Sequence, residues 1–379
     1  MSQRILIAMM DGFGLDYYRG SPIPFIHSMA EKGFFREVKG LFPSLTNVNN
    51  ISIATGEWPV THGISANSLY DPTTGKAVYL NASSAIKAPT ILERARARGV
   101  RSALLTSKRK TKELFEGRAD IVFAAEEPTA KERELFGNAP PIYSLEINHY
   151  LFDCAAKLLS AMPDIGIVYV HTTDYPMHAW PPGHPDSDRH LAGVDARLEA
   201  ICAANGDLSV FMTADHGMRF KKRCWNLKAA CAERGLYLRF ALSPERDYYT
   251  AHHNNYSGCA WLWLERQEDR EEARRIIEGL EGVEAVRDSA EVAEEHRLDQ
   301  AHLGDLVVLG DADTMFGDCP GILEELPPSY RAHGSLHEME LPLIVYNYLE
   351  PMPPPEHFRK NMDLCSSLYP LDHSKVTLQ

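Results

Sequence analysis

Residues 208–217, LSVFMTADHG, read as a buried strand that ends by releasing Asp215, His216 and a glycine that permits a sharp turn. Two other stretches share this grammar. ILIAMM at 5–10 runs into Asp11, and IGIVYVHTT at 165–173 runs into Asp174. Near-continuous apolar runs of this length suit strands covered on both faces of a parallel sheet. Open parallel sheets build their sites beyond the carboxyl ends of their strands, which is where each run places a carboxylate.

Outward from these strands the chain alternates between strand-like and helical patterns as far as Asp215. PFIHSMAEKG, APTILERARARG, NHYLFDCAAKLLSAM and HLAGVDARLEAICAANG have helical periodicity, while the REVKGLF region, VRSALLTS and IVFAA read as strands. The alternation predicts an α/β fold with a mostly parallel central sheet and helices on both faces. After His216 the pattern changes. CAWLWLE, REEARRIIEGLEG, VEAVRD and DLVVLGD suggest strand, helix, strand and strand. We therefore expect a core over 1–218 and 331–379, interrupted by a small inserted α+β cap over 219–330. The proline-rich tail from EPMPPPEHFRK onward is expected to wrap the surface.

Composition narrows the function classes. The 379 residues are 44% hydrophobic, as in an ordinary globular protein, and the net charge of −13 argues against a nucleic-acid-binding surface. The charge does not argue against a small anionic substrate, because local lysines and metal ions set the field inside a cleft. Seven cysteines without a CxxC pair argue against a disulfide framework or a cysteine-based zinc site. The amino-terminal apolar run is too short for a signal peptide, and no run approaches the roughly 20 residues of a membrane span. The expectation is a cytoplasmic protein with no membrane partner; a homodimer is compatible with the sequence.

Taken in order, Asp11, Thr46 in FPSLTNVNN, Asp174 and His178 in TTDYPMHAW, Asp215 and His216 in TADHG, and His333 in RAHGS form a set. Carboxylate and imidazole donors suit zinc. Two ions about 4 Å apart clamp the attacking and leaving oxygens of an in-line displacement. A threonine hydroxyl is a poor nucleophile until its pKa is lowered, which a metal does. Each piece alone has a plain reading: an aspartate after a strand is often a helix cap, and Thr46 a turn residue. The order of all seven outweighs those readings.

This set resembles the alkaline phosphatase superfamily over nearly the whole core. FPSLTNVNNISIATGEWPVTHGISAN, at 42–67, most resembles the phosphonoacetate hydrolases and their phosphodiesterase relatives. The resemblance implies that Thr46 is the nucleophile between two zinc ions, with Mn2+ or Fe2+ as alternatives. One ion would be held by Asp174, His178 and His333, and the other by Asp11, Asp215, His216 and Thr46. His333 is favoured over His337, which is left to pack near Glu338. Asn67 would donate to phosphoryl oxygens without adding charge. Lys108 and Lys110 in LLTSKRKTK would hold a substrate carboxylate, with Arg109 turned away if the segment is extended. The plain reading of that run is a solvated basic loop. His62, His184, His252 and His253 are read as structural or surface residues, and His171 as one that orients a ligand.

The implied reaction is hydrolysis of the carbon–phosphorus bond of phosphonoacetate through a phosphothreonine. The alternative is a phosphodiesterase or nucleotide pyrophosphatase on the same core, with Trp180, Tyr70 or Tyr175 as a stacking slot for an ester group. A mutase-like transferase is disfavoured by TNVNN, and a non-catalytic binding module by the complete ligand set. In either leading reading the partner is a small anionic phosphonate or phosphate ester.

Overall fold

The computed structural model describes residues 3–370. Its centre is a seven-stranded sheet made of β1 (Arg4–Met9), β2 (Phe34–Lys39), β3 (Arg101–Thr106), β4 (Ile121–Ala124), β5 (Ile165–His171), β6 (Leu208–Thr213) and β7 (Glu340–Tyr346), in the order β2-β7-β6-β1-β5-β3-β4. The α/β expectation holds. β6, β1, β5, β3 and β4 run parallel, and β7 lies antiparallel between β6 and β2. The three runs that release carboxylates are neighbours, with β1 in the middle. Met9 is level with both His171 and Thr213, so all three strands end together and deliver Asp11, Asp174 and Asp215 to one place.

Burial explains the apolar runs. β6 is buried along its whole length, and β1 and β5 nearly so, with helices Pro24–Lys32, Ile147–Ala161 and Pro185–Ala204 in the same core. The Thr46–Thr55 helix is buried on every side despite carrying Asn47, Asn49 and Asn50. Each asparagine is satisfied, as burial demands. Asn49 accepts from Leu41 N at 2.7 Å and donates to the Leu41, Pro43 and Leu45 carbonyls; Asn50 accepts from the Tyr169 hydroxyl at 2.8 Å; Asn47 donates to the Leu80 carbonyl. Much of TNVNN is therefore polar because it holds the preceding loop in place.

The chain leaves the core at Arg219–Phe220 and returns at Arg331–Ala332, and these two short strands pair antiparallel. Between them stands a four-stranded antiparallel sheet, Leu238–Leu242, Cys259–Leu264, Leu306–Gly310 and Val283–Asp288, with helix Arg270–Glu278 packed beside it. The first of those strands was not expected from sequence. Phe42, Ala66 and Met339 of the core pack into the cap's apolar cluster.

The tail corrects an expectation. Phe358, Leu364, Cys365 and Leu368 are buried in the main core, and the Asn361 amide donates to Asn49 Oδ1 at 2.9 Å and to the Ala214 carbonyl at 3.1 Å. The proline stretch at 350–357 is largely exposed, as expected, but from Phe358 onward the segment braces the Thr46 helix and the Asp215 loop. Residues 371–379 fall outside the described part.

Candidate metal centre

The strand ends make the site. Asp11 follows β1 and its backbone N–H donates to Thr172 Oγ1 at 2.8 Å. Gly12 takes φ +75°, where an added Cβ would meet Met177 and Asp174 at 3.0–3.2 Å, so only glycine lets the two loops approach this closely. Asp215 accepts from Gly12 N at 3.0 Å through Oδ1, while its Oδ2 has no partner.

Thr46 opens its helix within 3.5 Å of Asp11 Oδ1 and 3.4 Å of His216 Nε2; His216 Nε2 is 3.4 Å from both Asp11 Oδ1 and Asp215 Oδ2. These separations exceed the 2.7–3.2 Å of good N–H···O bonds. They match the edges of a coordination tetrahedron: two donors about 2.0–2.2 Å from one zinc stand roughly 3.3–3.6 Å apart. Beside this group, Asp174 Oδ2 is 2.9 Å from His178 Nε2 and 3.6 Å from His333 Nε2. His333 and His216 stack with centroids 3.6 Å apart, so the two groups adjoin. All seven expected ligands come together.

The histidines are oriented alike. Nδ1–H of His178 donates to the Arg331 carbonyl at 2.6 Å, that of His216 to the Gly217 carbonyl at 3.0 Å and that of His333 to the Ser44 carbonyl at 2.8 Å. Each then presents Nε2 to the carboxylates. Metal-ligating histidines are fixed in this way, with the second nitrogen tied to a carbonyl. His171 sits between Thr106 Oγ1, 3.2 Å from Nδ1, and Asp11 Oδ2, 3.7 Å from Nε2.

Charge points the same way. Asp11, Asp174, Asp215, Glu245 and Asp247 are buried together, five carboxylates against the two permanent cations Lys108 and Lys110. Burial pushes each carboxyl up, and Asp215, next to Asp11, goes well above the ordinary range. Lys108 and the neighbouring histidines hold Asp11 and Asp174 below it despite their burial. Burial drives His178 down to about 3 and His216 to about 4, whereas for His333 the carboxylates of Glu245 and Asp174 override burial and lift it to about 9. Excess buried negative charge with unpartnered donor atoms is the environment a divalent cation neutralises. The residues fit the binding of divalent cations.

The lysines are buried, not a solvated loop, and the segment is a helix cap, not extended chain. Lys108 precedes helix Arg109–Leu114, with Nζ 3.2 Å from Asp174 Oδ1 and 3.5 Å from Asp11 Oδ2. Lys110 Nζ pairs with Asp247 at 2.6 Å, and Arg109 turns outward to Glu113 and Glu127. Asn67 Oδ1 faces Asn47 N at 3.4 Å and its amide donates to the Glu245 carbonyl at 3.3 Å.

Sequence reasoning missed the cap's contribution. Glu245, Asp247, His252 and His253 reach the site from the insertion, and the side chains of both histidines are 2% exposed. The adjacent pair in TAHHNN was the available signal. His337 pairs with Glu284 of the cap at 2.8 Å and not with Glu338. Tyr70 stacks on Phe240 and packs at a tilt against Trp263, both of the cap, while Tyr175 lies beside His252. Trp180 stacks on His184, whose ring caps the Pro185–Ala204 helix. A cleft of about 620 Å³ opens near Asp16, Arg19, Phe220 and Arg331 and is lined by none of the seven expected ligands.

Two further histidines position the site. His62 Nδ1 accepts from Ile64 N at 3.1 Å, and its Nε2–H donates to Ser52 Oγ at 2.8 Å, whose own proton goes to the Val48 carbonyl. His190 Nδ1–H donates to the Leu145 carbonyl, and its Nε2 faces Asn148, the residue that clamps the Thr173 backbone just before Asp174. Both rings are held neutral, and burial pushes both down to about 3. The unfolded chain titrates near pH 6.5, so below that pH it binds protons that the folded chain refuses, and stability falls as pH falls. At pH 4 the loss is roughly 3 kcal/mol for each ring. In chelator-treated protein, where Asp215 and His333 titrate in the opposite sense, the thermal midpoint of the wild type should fall relative to that of His62→Gln from pH 7 to pH 4. A difference that does not change with pH would contradict a neutral buried ring.

A family model described as type I phosphodiesterase / nucleotide pyrophosphatase matches residues 5–336. The structure of phosphonoacetate hydrolase from Sinorhizobium meliloti 1021 in complex with phosphonoacetate is similar, with 28% identity and a TM-score of 0.85 over 97% of this chain and 95% of that one. Murine ectonucleotide pyrophosphatase / phosphodiesterase 5 shares the fold, with a TM-score of 0.70 at 17% identity. Among curated relatives, the bis(5'-adenosyl)-triphosphatase ENPP4 of Bos taurus is 26% identical over 254 residues, 64% of this chain. The chain spans about half the length of that relative, 53%. No helix among the described residues is long and apolar enough to cross a membrane.

Proposed function

Because the chain belongs to the type I phosphodiesterase / nucleotide pyrophosphatase family, we propose that it is a metal-dependent hydrolase whose Thr46 attacks phosphorus, and that its substrate is phosphonoacetate. The observation that carries the substrate choice is Lys108, a buried ammonium within 3.2 Å and 3.5 Å of two of the carboxylates around Thr46. Whole-length similarity to a phosphonoacetate hydrolase supports it.

Asp174, His178 and His333 would hold one divalent ion, and Asp11, Asp215, His216 and Thr46 the other, zinc being favoured by the donor set. Bound there, the ions supply Lewis acidity and lower the pKa of the threonine hydroxyl. Thr46 Oγ1 forms the new bond to phosphorus. The phosphorus–carbon bond breaks and its electron pair passes to the acetate fragment, which takes up one proton from solvent, balancing the one that Thr46 Oγ1 releases. Developing charge on that fragment is the difficulty of the step, and the Lys108 ammonium placed on its carboxylate offsets it. The Thr46 N–H at the helix amino terminus and the Asn67 N–H that does not go to the Glu245 carbonyl would hold the phosphoryl oxygens. Water then hydrolyses the phosphothreonine, releasing phosphate and restoring Thr46, so one water is consumed overall.

The second reading is a phosphodiesterase. Lys110 favours it, because it is paired tightly with Asp247 at 2.6 Å and only Lys108, held more loosely at 3.2 and 3.5 Å by Asp174 and Asp11, is left to reach a substrate carboxylate. Phosphate release from phosphonoacetate, set against nitrophenol release from bis-nitrophenyl phosphate, separates the two. We expect the metal-loaded protein to take up two ions per chain and to prefer phosphonoacetate. Lys108→Met should lower phosphonoacetate turnover at least about tenfold more than diester turnover, the scale of a lost desolvated charge pair. Turnover of the diester alone would replace the first reading with the second.

A further inference from the structure

His252 enters the centre from the cap and has no part in the reading above. It sits on the short helix Thr250–His253, and the chain turns there through Asn254 and Asn255, both with positive φ. Asparagine is the side chain that best tolerates that conformation. The Asn255 side chain accepts from Asp247 N at 3.0 Å, and Asp247 is tied to Lys110 of the core, so the turn is anchored beside the site. The His252 ring packs against Tyr143, Tyr175 and His178, with centroids 5.6, 6.5 and 4.8 Å away.

Its polar atoms are unspent. The side chain is 2% exposed, yet neither ring nitrogen has a hydrogen-bond partner. A buried polar group left this way needs an explanation. Nε2 stands 3.5 Å from Asp174 Oδ1, too far for a good hydrogen bond. It is the spacing of two donors on one tetrahedral ion. Ligand atoms of Asp174, His178 and His252 all lie within 4.8 Å of one another.

We propose that His252 is a displaceable ligand, carried by the cap, to the divalent ion held by Asp174 and His178, and that a substrate oxyanion takes its place. The proposal rests on the di-metal reading. Asp174, His178 and His252 form one compact donor group, while Asp174 also groups with His216 and His333; with His333 turned to the same ion the four would close a zinc site, whereas a catalytic zinc keeps one position open. His252 differs from the other three histidines in one respect that fits displacement. Their Nδ1 atoms are fixed by backbone carbonyls, and its Nδ1 is not. A ring without that support is held less firmly on its ion. Ligation of the ion by His252 and occupation of that position by phosphate are then mutually exclusive.

The test uses the full chain loaded with Co2+, whose visible absorption reports coordination, titrated against a chelator. In His252→Ala we expect one of two Co2+ ions to bind at least about tenfold more weakly, with an altered spectrum, while the other is unchanged. Orthophosphate, which has no ligand to displace in the variant, should bind more tightly than in wild type. His252→Gln keeps the volume and serves if the alanine variant does not fold. Wild-type Co2+ affinity and spectrum in both variants, or weaker orthophosphate binding, would overturn the proposal while leaving the di-metal reading intact. Failure of the wild-type chain to bind Co2+ would overturn both.

Discussion

Replacing Thr46 with alanine should cut turnover by at least about a thousandfold, the scale at which a lost nucleophile is felt, and leave the thermal midpoint near that of the wild type. The two expectations come from the same distances. Thr46 Oγ1 is 3.5 Å from Asp11 Oδ1 and 3.4 Å from His216 Nε2, too far for strong hydrogen bonds. Removing the hydroxyl therefore costs the fold little. It removes the oxygen that stands among the carboxylates at a helix amino terminus, where an attacking group and the phosphoryl oxygens can be served together. Thr46→Ser keeps an oxygen at that position and should retain measurable turnover, reduced because the missing methyl lets the side chain rotate. Asp11, Asp215 and His216 remain in the alanine variant, so metal content should fall by less than one ion per chain. Mass spectrometry after acid quench should find phosphate on Thr46 in the wild type and none on the variant. Near wild-type turnover by Thr46→Ala would end the assignment of Thr46 as nucleophile.

The legible parts of this protein were those in which one residue type does one job in one local pattern. Three apolar runs ending in aspartate determined both the parallel sheet and the place of the site, because a strand buried on both faces has no room for polar residues. Five of the seven expected ligands, Asp11, Asp174, His178, Asp215 and His216, converge because the three strands are adjacent and end level, a consequence of topology that no single motif contains. Illegible were contributions from elements that meet only in space. Asn148 clamps the Asp174 loop from a helix whose periodicity reads as ordinary packing. Glu245, Asp247 and His252 descend from the cap, and nothing in strand or helix patterning says that an insertion will fold back over the strand ends. For Lys108 and Lys110 a solvated run stood beside the substrate-binding reading, because burial of a lysine depends on carboxylates more than sixty residues away. The tail was half misread for the opposite reason: its prolines do lie on the surface, while Phe358, Leu364 and Leu368 beyond them enter the core.

Lys221→Met should be the most damaging substitution outside the seven expected ligands. Lys221 enters the cap two residues after the chain leaves the core, and its Nζ pairs with Glu338 Oε1 at 2.7 Å and donates to the Ala312 carbonyl at 3.0 Å. Both side chains are completely buried. Glu338 in turn accepts from the backbone and hydroxyl of Ser335 at 3.0 and 2.7 Å, and its carbonyl takes the Gly217 N–H. One ion pair thus joins the cap to the loop after His216 and to the turn after His333. Breaking a buried pair from one side strands a charge and typically costs about 3–5 kcal/mol, against about 1 kcal/mol or less for an exposed pair. The adjacent Lys222, 69% exposed and paired with Asp313, is the internal comparison. Denaturant unfolding of Lys222→Met should be nearly unchanged, and Lys221→Met should lose several kcal/mol. Lys221→Met/Glu338→Gln should recover most of that loss, because the amide keeps the Ser335 contacts without a charge. The functional consequence follows from the same geometry. With the turn after His333 loosened, the ion shared by His333 and Asp174 should bind roughly ten to a hundred times more weakly, which chelator competition will read. If Lys221→Met and Lys222→Met lose equal stability, the buried pair is not what fastens the cap to the centre.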